Sequence, residues 1–299
     1  GVDLSPEAFR GAAREADALL CYLTDRIDAE RFAACPKLKA VANVAAGLDN
    51  IDRAAAAARG IVVTHTPGAL TEATADLAWA LMLAAARRIV EADRFVREGR
   101  FEGWRFDLLQ GLELSGATLG LVGFGRIGQA VARRARGFGM RLATLDRPSL
   151  DRSAWPDVKG MDLDSLLAEA DVLALQVPLT PRTRGMIGER ELRRMKPTAI
   201  LVNVGRGPSV DETALVRALR EGGIAGAGLD VFENEPALAP GLADLPNVVL
   251  APHIGSATVA ARERMIRMAC EDLAAIAEGK PPKYPAPGIY HQDTKTARE

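Results

Sequence analysis

The sequence predicts an α/β chain built from parallel sheets flanked by helices, and three observations carry that prediction. Short apolar runs alternate with helix-period segments from Ala18 onward, the order that a parallel sheet with crossover helices requires. Nearly every apolar run ends at a turn carrying Gly, Pro, Asp or Asn, residues that punctuate strand ends. The length of 299 residues also reaches the range of about 250 to 300 residues at which one hydrophobic core stops growing and a chain divides into domains.

Taken in order, strands are expected at 18–22, 39–43, 61–64, 118–122, 141–145, 172–175, 199–203, 226–229 and 248–250. Helices are expected at 72–97, 127–136, 164–169, 189–195, 211–221 and 258–278. The first helix is the most informative. Leu77, Ala80, Leu81, Ala84 and Ala85 repeat at helical spacing while Trp79, Met82 and Leu83 fill much of the remaining circumference, so it is expected to be covered on several sides and to join domains or subunits. Pro67-Gly68 and His253-Ile254-Gly255 are the natural points for the chain to enter and leave the central domain. Residues 68–258 then form one domain, and residues 1–67 with 259–299 a second, discontinuous one. From Pro281 the chain is rich in Pro and charge and reads as a tail.

Composition narrows the function. The formal net charge is -1, with 38 basic and 39 acidic residues interspersed, so there is no electrostatic footprint for nucleic acid or an anionic membrane, and a small-molecule partner is expected. Cys21, Cys35 and Cys270 are widely spaced and form no CxxC, which suggests neither a disulfide framework nor a metal site and fits a reducing cytoplasm. The longest apolar run, 77–86, is half the roughly 20 residues a membrane-spanning helix needs. No basic, apolar, small-residue signal opens the chain, but it starts at Gly1 rather than Met, so a leader already removed stays open.

Ligands of open parallel sheets bind outside the carboxyl ends of the strands, so the loops after Val122, Asn203, Leu229 and Leu250 are expected to converge. The first of these, Gly123-Phe124-Gly125-Arg126-Ile127-Gly128, follows an expected strand and opens an expected helix, the context in which GxGxxG means dinucleotide binding. Gly123 permits the tight turn, Gly125 lets backbone approach a pyrophosphate, and Gly128 lets helix and strand pack closely, with the helix N-terminus facing the phosphate charge. Asp146 ends the next strand about 20 residues on, where a carboxylate accepts from ribose hydroxyls and repels a 2'-phosphate. Arg147 beside it can reach such a phosphate, so NAD is favoured and NADP stays open.

Three further segments each hold one reactive side chain: Arg206 in 203–207, Glu235 in 230–236 and His253 in 252–258. Reducing a 2-keto acid needs its carboxylate held, its carbonyl polarised and a proton delivered to the nascent alkoxide. The fork of Arg206 suits the first two tasks. The imidazole of His253 suits the third, and a carboxylate at Glu235 orients the ring and favours the imidazolium. Glu233 is the rival for that acid role. Asp230 is placed either to bond the nicotinamide ribose or to tune the Glu and His pair. Of the other two histidines, His65 reads as a satisfied linker residue and His291 lies in the tail.

These motifs, in this order on these elements, resemble the D-isomer-specific 2-hydroxyacid dehydrogenases from about Leu20 to Gly279. The resemblance implies two Rossmann-like or flavodoxin-like domains, the central one binding NAD(P) and the discontinuous one binding substrate. It assigns Arg206, Glu235 and His253 as substrate arginine, supporting glutamate and proton-donating histidine, and it favours Glu235 over Glu233. Ala46 and Gly47, in 44–52, match the segment whose backbone amides bind the substrate carboxylate. Arg126, Ile127, Asp146, Val177, Val204, Gly205 and Asp230 match cofactor-contacting positions, and His253 and Gly255 are placed beside the cofactor with them. The stretch 102–129 looks most like glyoxylate and hydroxypyruvate reductases, in which a tryptophan reaches toward the neighbouring subunit's active site. Trp104 is that residue or else a core tryptophan. The resemblance also implies a homodimer through the nucleotide domains.

Two relatives set alternatives. Phosphonate dehydrogenase shares the pattern of Phe101 to Trp104, but its substrate lysine falls at Ala46, which disfavours phosphite oxidation. Corepressors of this fold retain Arg, Glu and His as non-enzymatic NAD sensors, yet nothing basic or low-complexity here suggests such a scaffold. Formate dehydrogenases pair the histidine with glutamine, so Glu235 speaks against that branch. Family members place a strand, a helix and a second strand before the part matched by 5–20, for which this chain has no room. Either an N-terminal segment is missing from it or the substrate domain is curtailed.

Overall fold

The computed structural model describes residues 6–147, 150 and 153–288. The chain forms two compact units, Gly1–Leu70 with Ala257–Glu299, and Thr71–Ser256. These crossings lie close to the expected joins at Pro67-Gly68 and after Thr258.

The first unit opens with α1 (Pro6–Ala13), β1 (Ala18–Cys21), α2 (Ala29–Ala33), β2 (Ala40–Asn43), α3 (Arg53–Ala58) and β3 (Val62–Thr64). The strands form a parallel sheet in the order β1-β2-β3. Its core gathers Ile27, Phe32, Cys35, Val41, Ile61 and Val63, all nearly inaccessible to solvent. The strands fall at the expected positions, while the three helices were not foreseen. The five residues of α2 and six of α3 carry no helical apolar period; these helices begin because Asp28 accepts from the Arg31 amide and Asp52 from the Ala55 amide, each satisfying an otherwise orphaned N–H.

The second unit runs α4 (Thr71–Ala86), α5 (Ile89–Arg97), β4 (Thr118–Val122), α6 (Arg126–Gly137), β5 (Arg141–Leu145), β6 (Val158–Met161), α7 (Leu163–Glu169), β7 (Val172–Leu175), α8 (Glu189–Leu192), β8 (Ile200–Asn203), α9 (Glu212–Arg220), β9 (Gly226–Leu229) and β10 (Val248–Leu250). The seven strands are parallel throughout, in the order β10-β9-β8-β7-β4-β5-β6. Strand order reverses between β4 and β7, which creates the crevice where such sheets take their ligand. The edge strand β6 was not expected, because Lys159 and Gly160 interrupt its apolar character.

One correction concerns the first long helix. The chain breaks after Ala86 and restarts at Ile89, with Arg88 in the left-handed region at φ 53°. The cause is tertiary: the Ala86 carbonyl accepts from the Leu112 amide at 2.8 Å, and Gly111 lies so close that a Cβ there would stand 2.2 Å from the same oxygen. As expected, α4 is covered on several sides. Ala75, Ala78, Trp79, Leu81 and Met82 are buried, Trp79 Nε1 donates to the Val131 carbonyl, and Gly228 on β9 lacks a side chain where Leu81 comes against the sheet.

The chain returns to the first unit as α10 (Val259–Ala277), which lays Met265 and Ala269 on Ala42, Val44 and Ala69. Within the described residues, the stretch expected as a tail is tied to the first unit. Pro285 bridges antiparallel to Thr64, the Ala286 amide donates to the Val63 carbonyl, and the buried Asp272 carboxylate accepts from the amides of Lys283 and Tyr284. His291 lies outside the described residues. Among the described residues no helix is long and apolar enough to cross a membrane.

Candidate active site

The dinucleotide crevice is assembled from backbone. After β4 the chain turns at Gly123, whose φ of +102° favours glycine, and α6 starts with Gly125 as a cap that offers no side-chain bond, leaving the first amides of the helix for an anion. Nothing lies within 4 Å of a Cβ built on Gly125, whereas one on Gly128 would stand 2.1 Å from the Gly123 carbonyl. Open space above the second glycine and tight packing under the third fit a dinucleotide phosphate. The side-chain amide of Gln176, at the end of β7, is buried with neither its oxygen nor its nitrogen bonded, and it lies 3.4 Å from the Cβ position of Gly128. Unpaired buried polar atoms of this kind are rare, and a bound group beside the loop offers them partners.

The other expected cofactor positions sort themselves by burial. Arg126 and Asp146 are exposed, with Ile127 and Val177 half-buried. Val204 is 6% exposed and belongs to the core, so only its backbone can serve a ligand. Gly205 packs on the β7 turn, since a Cβ there would meet the Val177 carbonyl at 2.9 Å. Arg147, the rival to Asp146, donates its amide to the Asp146 carboxylate.

Arg206 stands in extended backbone at the mouth of β8. Its loop is tied by Asn203, whose Oδ1 accepts from the Gly205 amide at 3.0 Å and whose Nδ2 donates to the Arg206 carbonyl at 3.1 Å. The loop also presses on the segment after β9: a Cβ at Gly207 would lie 1.8 Å from the Phe232 carbonyl oxygen. Gly207→Ala is therefore expected to displace the Arg206 and Phe232 segments at a cost of roughly 1–3 kcal/mol. Calorimetry is expected to show a lowered Tm and rates a lowered kcat/KM with NADH affinity retained; an unchanged enzyme would mean that the contact carries no constraint.

Beyond β9, Glu235 Oε1 accepts from the Phe232 amide at 3.0 Å, and Oε2 meets His253 Nδ1 at 2.8 Å. Glu235 and not Glu233 is therefore the histidine's partner; Glu233 instead accepts from the Glu212 amide. Burial pushes the Glu235 carboxyl up, but the bonds from His253 and the Phe232 amide, with the charges of His253 and Arg206, outweigh it and hold the group below the ordinary glutamate range. A carboxylate lowered in this way keeps its pairing above that range and loses it as pH falls through the depressed value.

His253 itself has φ 53°, a left-handed conformation that costs a non-glycine residue. The surroundings hold it there. Its amide donates to the Asp230 carbonyl, and the Asp230 carboxylate accepts from the amides of Ile254 and Gly255 at 2.7 and 2.8 Å. Thr74 on α4 donates its hydroxyl to the Gly255 carbonyl. Asp230 is 1% exposed, and burial pushes its carboxyl up against the pull of those amides and of His253. The contacts of Asp230 and Gly255 give them a bracing role that the sequence did not indicate.

Within the first unit, the 44–52 segment is equally fixed. His65 Nδ1 bonds the Ala46 carbonyl at 2.9 Å, and Asn43 Nδ2 donates to the Gly47 carbonyl and to Asn50. Because the peptide is planar and trans, holding the Ala46 carbonyl aims the Gly47 N–H in the opposite direction.

Trp104 is 82% exposed, as is Phe106, with Phe101 at 55%, which overturns the core reading of Trp104. Within the second unit a cavity of about 390 Å³ is lined by Ala86, Arg88, Gln110, Ile200, Asn247 and Val249, toward the amino ends of β8 and β10 and so at the sheet end opposite the glycine loop. No group of three or more His, Cys, Asp or Glu able to hold a metal occurs among the described residues. Asn203, Thr74, Asn43 and Gln176 received no role from the sequence. The one signal available was a polar residue at or just past the inner end of a buried strand, as with Asn43, Asn203 and Gln176.

Residues 79–255 match the model of the D-isomer specific 2-hydroxyacid dehydrogenase NAD binding domain. A glyoxylate reductase from Thermococcus onnurineus is 52% identical over 287 residues, covering 94% of this chain and 85% of its own. A solved Thermus thermophilus protein superposes with a TM-score of 0.90 at 49% identity, covering 96% of this chain and 91% of its own. The NADPH-dependent glyoxylate/hydroxypyruvate reductase of Sinorhizobium meliloti, solved with NADP and malonate, gives 0.85 at 38% identity, covering 92% and 85%.

Proposed function

The chain belongs to the D-isomer specific 2-hydroxyacid dehydrogenases, and from that membership we propose that it reduces glyoxylate, and next to it hydroxypyruvate, with NADH preferred over NADPH. The observation that carries the reading is the 2.8 Å pairing of His253 with Glu235, on loops that leave the same sheet end as the Arg206 loop and the glycine loop. Relatives named glyoxylate reductase at about half identity support the substrate, and the carboxylate of Asp146 at the end of β5 supports NADH.

A dinucleotide held at the Gly123–Gly128 loop would supply hydride to the carbonyl carbon. Arg206 pairs with the substrate carboxylate and polarises the carbonyl oxygen. His253 binds Glu235 through Nδ1 and so presents Nε2 to that oxygen; it gives up one proton as the alkoxide forms, and Glu235 stabilises the charged ring until then. Glyoxylate yields achiral glycolate, and a larger keto acid yields the D product.

Initial rates on glyoxylate, hydroxypyruvate, pyruvate and phosphonooxypyruvate, each with NADH and NADPH, test this. Glyoxylate with NADH is expected to give the highest kcat/KM. No turnover with any acid alongside intact NADH binding would replace the reading with an NAD sensor, and NAD reduction on adding phosphite alone would replace it with phosphite oxidation.

The assembly we propose is a homodimer formed through the nucleotide-binding unit, in the cytoplasm. Support comes from α5, which has no buried residue although Ile89 and Val96 are apolar and more than half exposed, and from the exposed Phe101, Trp104 and Phe106 beyond it. Three unpaired cysteines fit a reducing compartment. Light scattering is expected to give twice the chain mass, with Val96→Asp shifting it toward the monomer; a wild-type monomer at micromolar concentration would refute the dimer.

A further inference from the structure

Glu212 is a charged residue only 3% exposed, and nothing in the proposed chemistry uses it. Burying a carboxylate is costly unless its oxygens are fully bonded. Here Oε1 accepts from the Glu233 amide at 2.6 Å and Oε2 from the Ala239 amide at 3.2 Å, while the Glu212 amide donates back to Glu233 Oε2 at 3.3 Å. The helix does not require this residue as a cap, because Asp211 already accepts from the Ala214 amide at the start of α9. The two amides that Glu212 binds are the two ends of the 233–239 loop, and Glu235 lies between them.

We propose that Glu212 is a positioning residue for the proton-delivering pair: its buried carboxylate staples both ends of the loop that carries Glu235 and so sets how Glu235 meets His253. The chain of contacts is continuous. Glu212 fixes the Glu233 and Ala239 amides, the Phe232 amide fixes one oxygen of Glu235, and the other oxygen holds the imidazole. With the loop unstapled, Glu235 keeps its charge but loses its aim, and the ring it orients is free to turn. The proposal rests on the keto-acid reductase reading for its kinetic readout alone.

Glu212→Gln keeps the size of the side chain but sets an NH2 donor against one of the two amides. It is expected to fold, to bind NADH as before, and to lose about tenfold in kcat. The acid limb of kcat/KM, where Glu235 takes up a proton, is expected to move to higher pH, because Glu235 owes its lowered pKa to close partners. The charged groups about this loop are Glu212, Glu233, Asp230, Arg206 and His253. Burial above all pushes the Glu212 carboxyl up, and the charges of Glu233 and Glu235 add to it against the pull of the Glu233 and Ala239 amides; the repulsion between Glu212 and Glu235 is mutual. Removing the Glu212 charge would by itself move the limb to lower pH, so the direction separates geometry from charge.

Adding Glu212→Gln to Glu235→Gln is expected to bring no further loss. Independently of turnover, the proton resonance of the His253 ring at Nδ1, shifted downfield by a carboxylate partner, is expected to move upfield in Glu212→Gln. Glu212→Asp, which keeps the charge and shortens the reach, serves if the first variant fails to fold, with the same shifts expected at smaller size. A limb that stays put or moves to lower pH, additive losses in the double variant, or an unmoved ring resonance would each overturn the proposal. If the wild type turns over no 2-keto acid, the functional reading fails, and the resonance still decides the role of Glu212.

Discussion

Arg206→Ala is expected to lower kcat/KM for glyoxylate by about 30-fold to several thousand-fold, the equivalent of roughly 2–5 kcal/mol of charge-assisted binding. The loss should fall on both KM and kcat, since the guanidinium holds the substrate carboxylate in the ground state and also meets the charge that grows on the carbonyl oxygen. Lysine at the same position keeps a charge but not the planar fork, and is expected to recover only part of the activity. The backbone around Arg206 is held by Asn203 and the Gly207 contact, so the alanine variant should keep its Tm and its affinity for NADH. A loss below about threefold, under 1 kcal/mol, would remove Arg206 from the site.

His253→Asn is expected to reduce kcat by about 100- to 10,000-fold, the usual contribution of a positioned general acid, with KM for glyoxylate changed far less. Asparagine is the replacement of choice because the position has φ 53°, a conformation that Asn tolerates better than other non-glycine residues. The loss can then be read as loss of the proton and not of the loop. Combined with Glu235→Gln, it should cost little more than it does alone, since the two act as one device. Activity within threefold of wild type would require another acid, and Glu233, which accepts from the Glu212 amide, is not placed for it.

Strands were the most legible part of the fold. Runs such as Thr118–Val122 and Val172–Leu175 are buried on both faces, so burial itself writes an apolar word bounded by turn residues. The same logic pointed to the candidate site, because a reactive residue in the turn after such a word stands toward the sheet's carboxyl end. What stayed hidden depends on partners distant in sequence. The break after Ala86 comes from Leu112, the order of the last segment from Asp272, and the functions of Asn203, Thr74 and Glu212 from loops that no local pattern connects to them. Elements without an apolar run, such as Val158–Met161, or shorter than two helical turns, such as Ala29–Ala33, gave no period to detect.

The absence of a side chain at Gly207, where the chain lies directly on the Phe232 carbonyl, has a consequence for anyone redesigning this enzyme. Cation and acid are mounted on a common ledge, so neither can be retuned without dragging its companion. Room for bulkier substrates will have to be carved from walls that carry no chemistry.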